Sequence, residues 1–250
     1  MPRIGRIVDL SHPLHNGTPV YPGDPEPDFS PATTIAEDGY NVLHVRMGSQ
    51  TGTHLDAPFH FLENGDRVEQ LDLGLLCAPA VVVDVRGKQA RQPITMEDLE
   101  PYASTLAPGT ILVLHTGWSE HWGTDAYADH PYLDGAAAER VVAAGIRTVA
   151  IDAMSLDETT DAAEHPSGFA AHYKVLGAGG VIAENLAHLS DITFPDPIVS
   201  LLPLHLQGAD GAPVRAVATR SGTTPSGWSR PLVSTRCSTW RRSPTSGGSG

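Results

Sequence analysis

The chain has only two cysteines, Cys77 and Cys237, in 250 residues. Two thiols cannot build a disulfide framework. Cys77 sits in an apolar stretch and reads as a buried free thiol. No apolar run approaches the ~18 residues that a membrane-crossing helix requires. The start shows no positively charged segment followed by an apolar run, as a Sec-type signal would, so the cytoplasm is the expected compartment. Positive charge is also scarce. Sixteen Lys and Arg against 29 Asp and Glu give a formal net charge of −13. That balance leaves no electrostatic footprint for nucleic acid or an anionic membrane, and neither is expected as a partner. Nucleotide-binding signatures are missing too. LGAGG at 176–180 lacks the third glycine of G-x-G-x-x-G, and no GK[ST] follows it. GWSEH at 117–121 lacks the glycine that would complete a nucleophile elbow, which argues against a serine hydrolase.

The apolar share is 40%, enough for one sizeable core. Strand-like and helical stretches alternate, which favours an α/β or α+β layout. Ile4 to Leu10 can make a first strand. Asn16 to Pro31, with YPGDPEP inside it, is too rich in Pro, Gly and Asp for a regular element and reads as a stiff loop or arm. Asn41 to Gly48 alternates as a strand. Ala80 to Val85, Thr110 to His115 and Thr148 to Ile151 are continuous apolar runs of the kind that form buried strands. Thr95 with Asp98 marks a helix start, and Asp134 to Ala144 is helical up to Gly145. His172 to Leu176 leads into LGAGG, and Val181 to Ala183 is strand-like. Val199 to His205 and Val214 to Ala218 read as two last strands around a GADGAP turn. Beyond Ser221 the composition turns to Ser, Thr, Gly, Pro and Arg with no acid. We expect one domain over 1–220 and a disordered tail over 221–250, either inert or the product of a late change of reading frame.

Chemistry concentrates in SQTGTHLDAPFH, residues 49–60. His54 and Asp56 are two apart, so an extended backbone points both to one face. An imidazole and a carboxylate placed like that suit a divalent cation. Gly52 lets the backbone turn, while Thr51 and Thr53 can orient the carboxylate. Pro58 holds the exit, so His60 can turn back toward the same pocket. Its ordinary pKa makes His60 the best proton carrier, as base toward an attacking water and as acid toward a leaving group. Packing against Phe59 and Phe61 is its plainer role. His172 and Glu184, flanking KVLGAGGVI, are the best distant partners for the cation. Together these groups point to hydrolysis.

The segment QTGTHLDAPFH, residues 50–60, resembles the HxGTHxDxPxH motif of the metal-dependent cyclase family, which includes bacterial kynurenine formamidases. DLSHPL at 9–14, PVYPGDP at 19–25, TGWSEHWG at 116–123, GIRTVAIDAMSLD at 145–157 and LGAGGVIAENL at 176–186 extend the likeness over roughly residues 7–220. The resemblance implies a swivelling β/β/α fold with a mixed sheet or barrel-like core, and a homodimer or homotetramer. It implies a Zn²⁺ or Mn²⁺ site using His54 and Asp56 with His172 and Glu184, and His60 as the proton-transfer residue. Tyr21 in the YPGD arm, with Trp118 and Trp122, would line the substrate pocket. The implied activity is hydrolysis of an amide, in the first place N-formylkynurenine to kynurenine and formate. Opening of an isatin-like cyclic amide or a lactone, a polyketide-type cyclisation, and a degenerate non-enzymatic scaffold are the alternatives. One departure is plain: the motif's first histidine is Gln50 here. Its amide oxygen is a weaker ligand than imidazole, so the number of cations stays open.

Overall fold

The computed structural model describes residues 5–160 and 168–220. Its strands and helices, in chain order, begin with β1 (Ile7–Asp9), β2 (Asp28–Thr33), α1 (Ile35–Asp38), β3 (Val42–Arg46), β4 (His54–Asp56), β5 (Cys77–Asp84) and β6 (Pro93–Ile94). They continue with α2 (Met96–Leu99), β7 (Ile111–His115), β8 (Tyr132–Leu133), α3 (Gly135–Ala143) and β9 (Thr148–Ile151). The last are α4 (Ala170–Gly177), β10 (Val181–Glu184), β11 (Pro197–Ser200), β12 (Gly211–Pro213) and β13 (Val217–Arg220). Nine strands form one mixed sheet in the order β1-β13-β11-β5-β7-β9-β10-β4-β12. The centre, β5-β7-β9-β10, is parallel, and both flanks are antiparallel.

The apolar runs form the centre because both their faces are covered. Along β7, Leu112 and Leu114 pack into the core under α3 and α4, whereas Ile111 and Val113 pack into the core on the opposite face. Val149 and Ile151 of β9 join the first core and Ala150 the second. The helix starts have local causes. Thr95 and Asp98 form a capping box ahead of α2, and the Asp134 side chain accepts from the Ala136 N–H at the start of α3.

Several expectations need correction. The Asn16 to Pro31 arm gives way to β2 at Asp28, because residues 28–33 find a partner in β3 that no local pattern announces. The thiol of Cys77 is exposed, since Cys77 opens β5 at its rim and the buried neighbours are Leu76 and Ala78. The strand expected at Val199 to His205 ends at Ser200. The expected GADGAP turn contains β12, and of the strand expected at Val214 to Ala218 only Val217 and Ala218 are strand, in β13, while Val214 makes an isolated bridge to Pro203. Here the chain leaves β4 and passes to β11 and β1, and a single strand cannot serve both sides of the sheet. Ile4 and the tail beyond Arg220 lie outside the described residues.

Candidate metal centre

β4 lies between β10 and β12, and that register builds the site. Period-2 alternation sends Leu55 into the core and turns His54 and Asp56 to the other face. The register sets Glu184 opposite His54. His54 Nε2 lies 3.4 Å from Asp56 Oδ1 and 3.6 Å from Glu184 Oε2. His172 arrives from α4, with Nε2 3.6 Å from Asp56 Oδ2 and 3.3 Å from Glu184 Oε1. All four side chains are buried. His54, Asp56 and Glu184 also form a group whose ligand atoms are close enough together to share one ion.

Both imidazoles are held in one orientation. His54 Nδ1 donates to the Gly52 carbonyl at 2.7 Å, and His172 Nδ1 donates to Asp157 Oδ2 at 2.7 Å. A neutral ring with its proton on Nδ1 presents the Nε2 lone pair, which is the form that binds a metal. Asp157 also accepts the backbone N–H of Ala171 and His172, so one carboxylate anchors the start of α4 and aims its histidine. Gly52 is held in turn by Asn185, whose Nδ2 donates to the same carbonyl at 3.0 Å.

Asp56 supplies the test of whether a cation fits. Both its carboxylate oxygens are buried, and among the described residues neither has a hydrogen-bond partner. An unsatisfied buried carboxylate is costly unless an opposite charge meets it. Burial opposes its ionisation, yet the imidazoles of His172 and His54 hold its pKa well below the usual carboxylate range. Burial works against a charged His54 as well, but Asp56 and Glu184 push its pKa up to about 9. A cluster that draws protons onto its imidazoles so strongly offers the same negative field to a divalent cation. The donor set of imidazole nitrogens and carboxylate oxygens suits such an ion.

His60 sits at the rim, in the short turn after Pro58. Its Nδ1 lies 3.1 Å from Asp210 Oδ2, and the same carboxylate accepts from Gln50 Nε2 at 2.8 Å and, through Oδ1, from Ser49 Oγ at 2.8 Å. Burial opposes a charge on His60, but Asp210 and the more distant Asp56 raise its pKa. Its plainer packing role is partly present too, in an edge contact with Phe61.

A cavity of about 250 Å³ opens over these groups. Gln50, His54, His60, His172 and Glu184 line it, and Tyr21 does so from the arm. Phe61, Phe169 and Met154 add apolar wall, with the Phe61 ring stacked on His172. Trp118 and Trp122 are not among the lining residues. Trp118 donates to the Ala126 carbonyl, and Trp122 stacks on His12 with the two rings 3.9 Å apart. Asp157 and Asp210, which hold His172 and His60 in place, are absent from the sequence-based site. Asp157 closes the SLD of the 145–157 segment and Asp210 lies in GADGAP, so both were within quoted motifs but marked by no pattern of their own.

Residues 8–158 match the family model Cyclase, described as "Putative cyclase". The chain is 34% identical over 217 residues to the kynurenine formamidase of Geobacillus thermodenitrificans, covering 86% of this chain and 98% of that one. It is likewise 34% identical over 212 residues to the kynurenine formamidase of Bacillus thuringiensis subsp. konkukian, covering 84% and 95%. Isatin hydrolase A from Ralstonia solanacearum shares the fold, with a TM-score of 0.78 at 21% identity over 86% of this chain and 92% of that one. A structure described as a potential metal-dependent hydrolase with cyclase activity aligns at a TM-score of 0.70 and 28% identity, over 88% and 99%.

Proposed function

Because the chain belongs to the cyclase family, we propose that residues 1–220 are a metal-dependent, cytoplasmic arylformamidase. It would convert N-formylkynurenine and water to kynurenine and formate. The observation that carries this reading is Asp56, buried without a hydrogen bond among the described residues between two outward Nε2 atoms, with the Asp210-held His60 on the cavity that His54 and His172 line. The names of the relatives set the substrate class.

His54, Asp56, His172 and Glu184 would hold a Zn²⁺ or Mn²⁺ ion, which when bound supplies Lewis-acid polarisation of a carbonyl and makes water more acidic. His60 removes a proton from the attacking water as the new C–O bond forms. Asp210 fixes the Nδ1 proton of His60, so that Nε2 is the basic atom. The imidazolium then protonates the departing nitrogen as the C–N bond breaks. That step is needed because an arylamide anion is a very poor leaving group. Phe61, Met154 and Tyr21 provide the apolar wall that an aryl ring requires. Gln50 serves the His60 side of the cavity through its bond to Asp210.

The test is a metal-depleted protein reloaded with Zn²⁺ or Mn²⁺ and offered N-formylkynurenine, isatin and small lactones. We expect metal-restored hydrolysis with the highest kcat/KM on the formamide. His60→Ala should lose at least about 100-fold in turnover and keep its metal, as removal of a general acid–base residue does. Asp56→Ala should lose the metal as well. Preference for isatin would move the assignment to cyclic amides, and equal activity in both variants would overturn the residue roles.

A further inference from the structure

The catalytic reading leaves one charged group on the cavity wall unused. Asp24 of the YPGDP arm lines the cavity beside Pro19, Val20 and Tyr21. Its carboxylate is half-buried, and no hydrogen bond or ion pair to it is present among the described residues. Among the described residues no Lys or Arg lines the cavity. The charges can be set against one another. A divalent cation held there would offset Asp56 and Glu184. His60 faces Asp210 at 3.1 Å. Asp24 has no direct side-chain partner among the described residues, and only the imidazoles of His54 and His60 offset it from a distance. Burial is the main influence raising its pKa, and this is the cost that an arriving opposite charge would remove.

The arm gives that carboxylate a fixed position. Pro22 and Pro25 restrict the backbone on either side. Gly23 supplies the positive φ of +100° that lets the chain turn, and the Asp24 N–H closes the turn on the Tyr21 carbonyl at 3.0 Å. The Tyr21 ring lies on the same wall. A carboxylate beside an aromatic ring favours an ammonium group, through an ion pair and a cation–π contact. The same carboxylate repels an anionic substituent.

We propose that Asp24 is a specificity-determining residue that receives a positively charged amino group on the substrate, from the YPGDP arm side of the cavity wall. This assignment rests on the hydrolase reading of the same cavity. It narrows the substrate class to compact aryl amides that carry an ammonium substituent, as N-formylkynurenine does on its side chain. Neutral aryl amides would be cleaved without help from Asp24.

The experiment compares the metal-loaded wild type with Asp24→Asn on N-formylkynurenine and on neutral formanilide. In the variant, KM for N-formylkynurenine should rise about tenfold or more, the size of a lost charge-assisted contact, with kcat nearly unchanged. Formanilide should keep its kcat/KM within about twofold, which also reports an intact fold and metal site. Asp24→Glu should recover part of the loss. Calorimetric titration with L-kynurenine and with its deaminated analogue reads the same contact without turnover. The amine-bearing ligand should bind the wild type more tightly than the variant, and the deaminated one should not discriminate. Equal losses on both substrates, or equal affinities of L-kynurenine for both proteins, would overturn the assignment. A wild type that cleaves neither formamide yet binds L-kynurenine through Asp24 would overturn the formamidase reading alone.

Discussion

Asp210 is the residue whose replacement reports most directly on His60. The carboxylate accepts from Ser49 and Gln50 and faces His60 Nδ1, so it is itself held in place. In Asp210→Asn the amide can offer an N–H where an acceptor stood, which disfavours the tautomer with a basic Nε2. We expect kcat/KM to fall roughly 10–100-fold, the usual range for a group that orients a functional histidine, with metal content unchanged. The pH profile carries the sign. Asp210 raises the His60 pKa, and His60 must be neutral to act as base. Activity therefore falls as pH drops through that pKa, and loss of the carboxylate should move the acidic limb to lower pH. An unmoved limb would sever Asp210 from the proton transfer. The sequence made the two ends of this site unequally visible. His54 and Asp56 stand out because an extended chain aligns residues two apart, and His60 follows within the same segment. His172 and Glu184 became candidates chiefly through family likeness. Asp157 and Asp210 are single aspartates whose meaning comes from tertiary contacts 15 and 150 residues away in the chain.

Strands position these side chains, and β12 is where the tolerance is smallest. Gly211 pairs with Asp56 in the ladder between β12 and β4. A Cβ at Gly211 would lie 2.5 Å from Gln50 Nε2 and 2.6 Å from the Leu55 carbonyl oxygen. The side chain of Gln50 could shift, but the β4 backbone could not without moving His54 and Asp56. Gly211→Ala should therefore cost about 1–3 kcal/mol of stability, as overpacking does, and lower kcat through displaced ligands. Thermal unfolding and turnover check both parts, and an unchanged melting temperature with full activity would show that the ladder relaxes freely. The buried parallel strands were legible because continuous apolar runs state their burial locally. β2 was not, since Asp28–Thr33 is a strand only by virtue of its pairing with β3. Nor was the division between β12 and β13, because sequence pattern shows that residues favour extension and not which neighbour each stretch will meet.

For the molecule as a whole, the ribbon of β2 and β3 is the feature that the core does not explain. Among the described residues it pairs only with itself, outside the nine-stranded sheet. Cross-strand partners lie on the same face, so Val45 with Phe29 and Leu43 with Pro31 form one apolar side. Leu43 is 58% exposed and Val45 49%. Ile35 and Tyr40, at the connection between the strands, are exposed as well. Contiguous apolar surface of this kind marks an association face, and the acidic excess of the chain, −13 overall, opposes chance contact between copies. We expect that in the homodimer or homotetramer the family likeness implies, copies meet on this ribbon, each covering the apolar side of the other about a twofold axis. Sedimentation equilibrium should return twice the mass of one chain for the wild type. Leu43→Glu combined with Val45→Glu places two charges per chain at the contact, and it should yield monomers with the metal centre intact, because neither residue lines the cavity. A monomeric wild type, or a double variant that still dimerises, would show that the ribbon is not the contact.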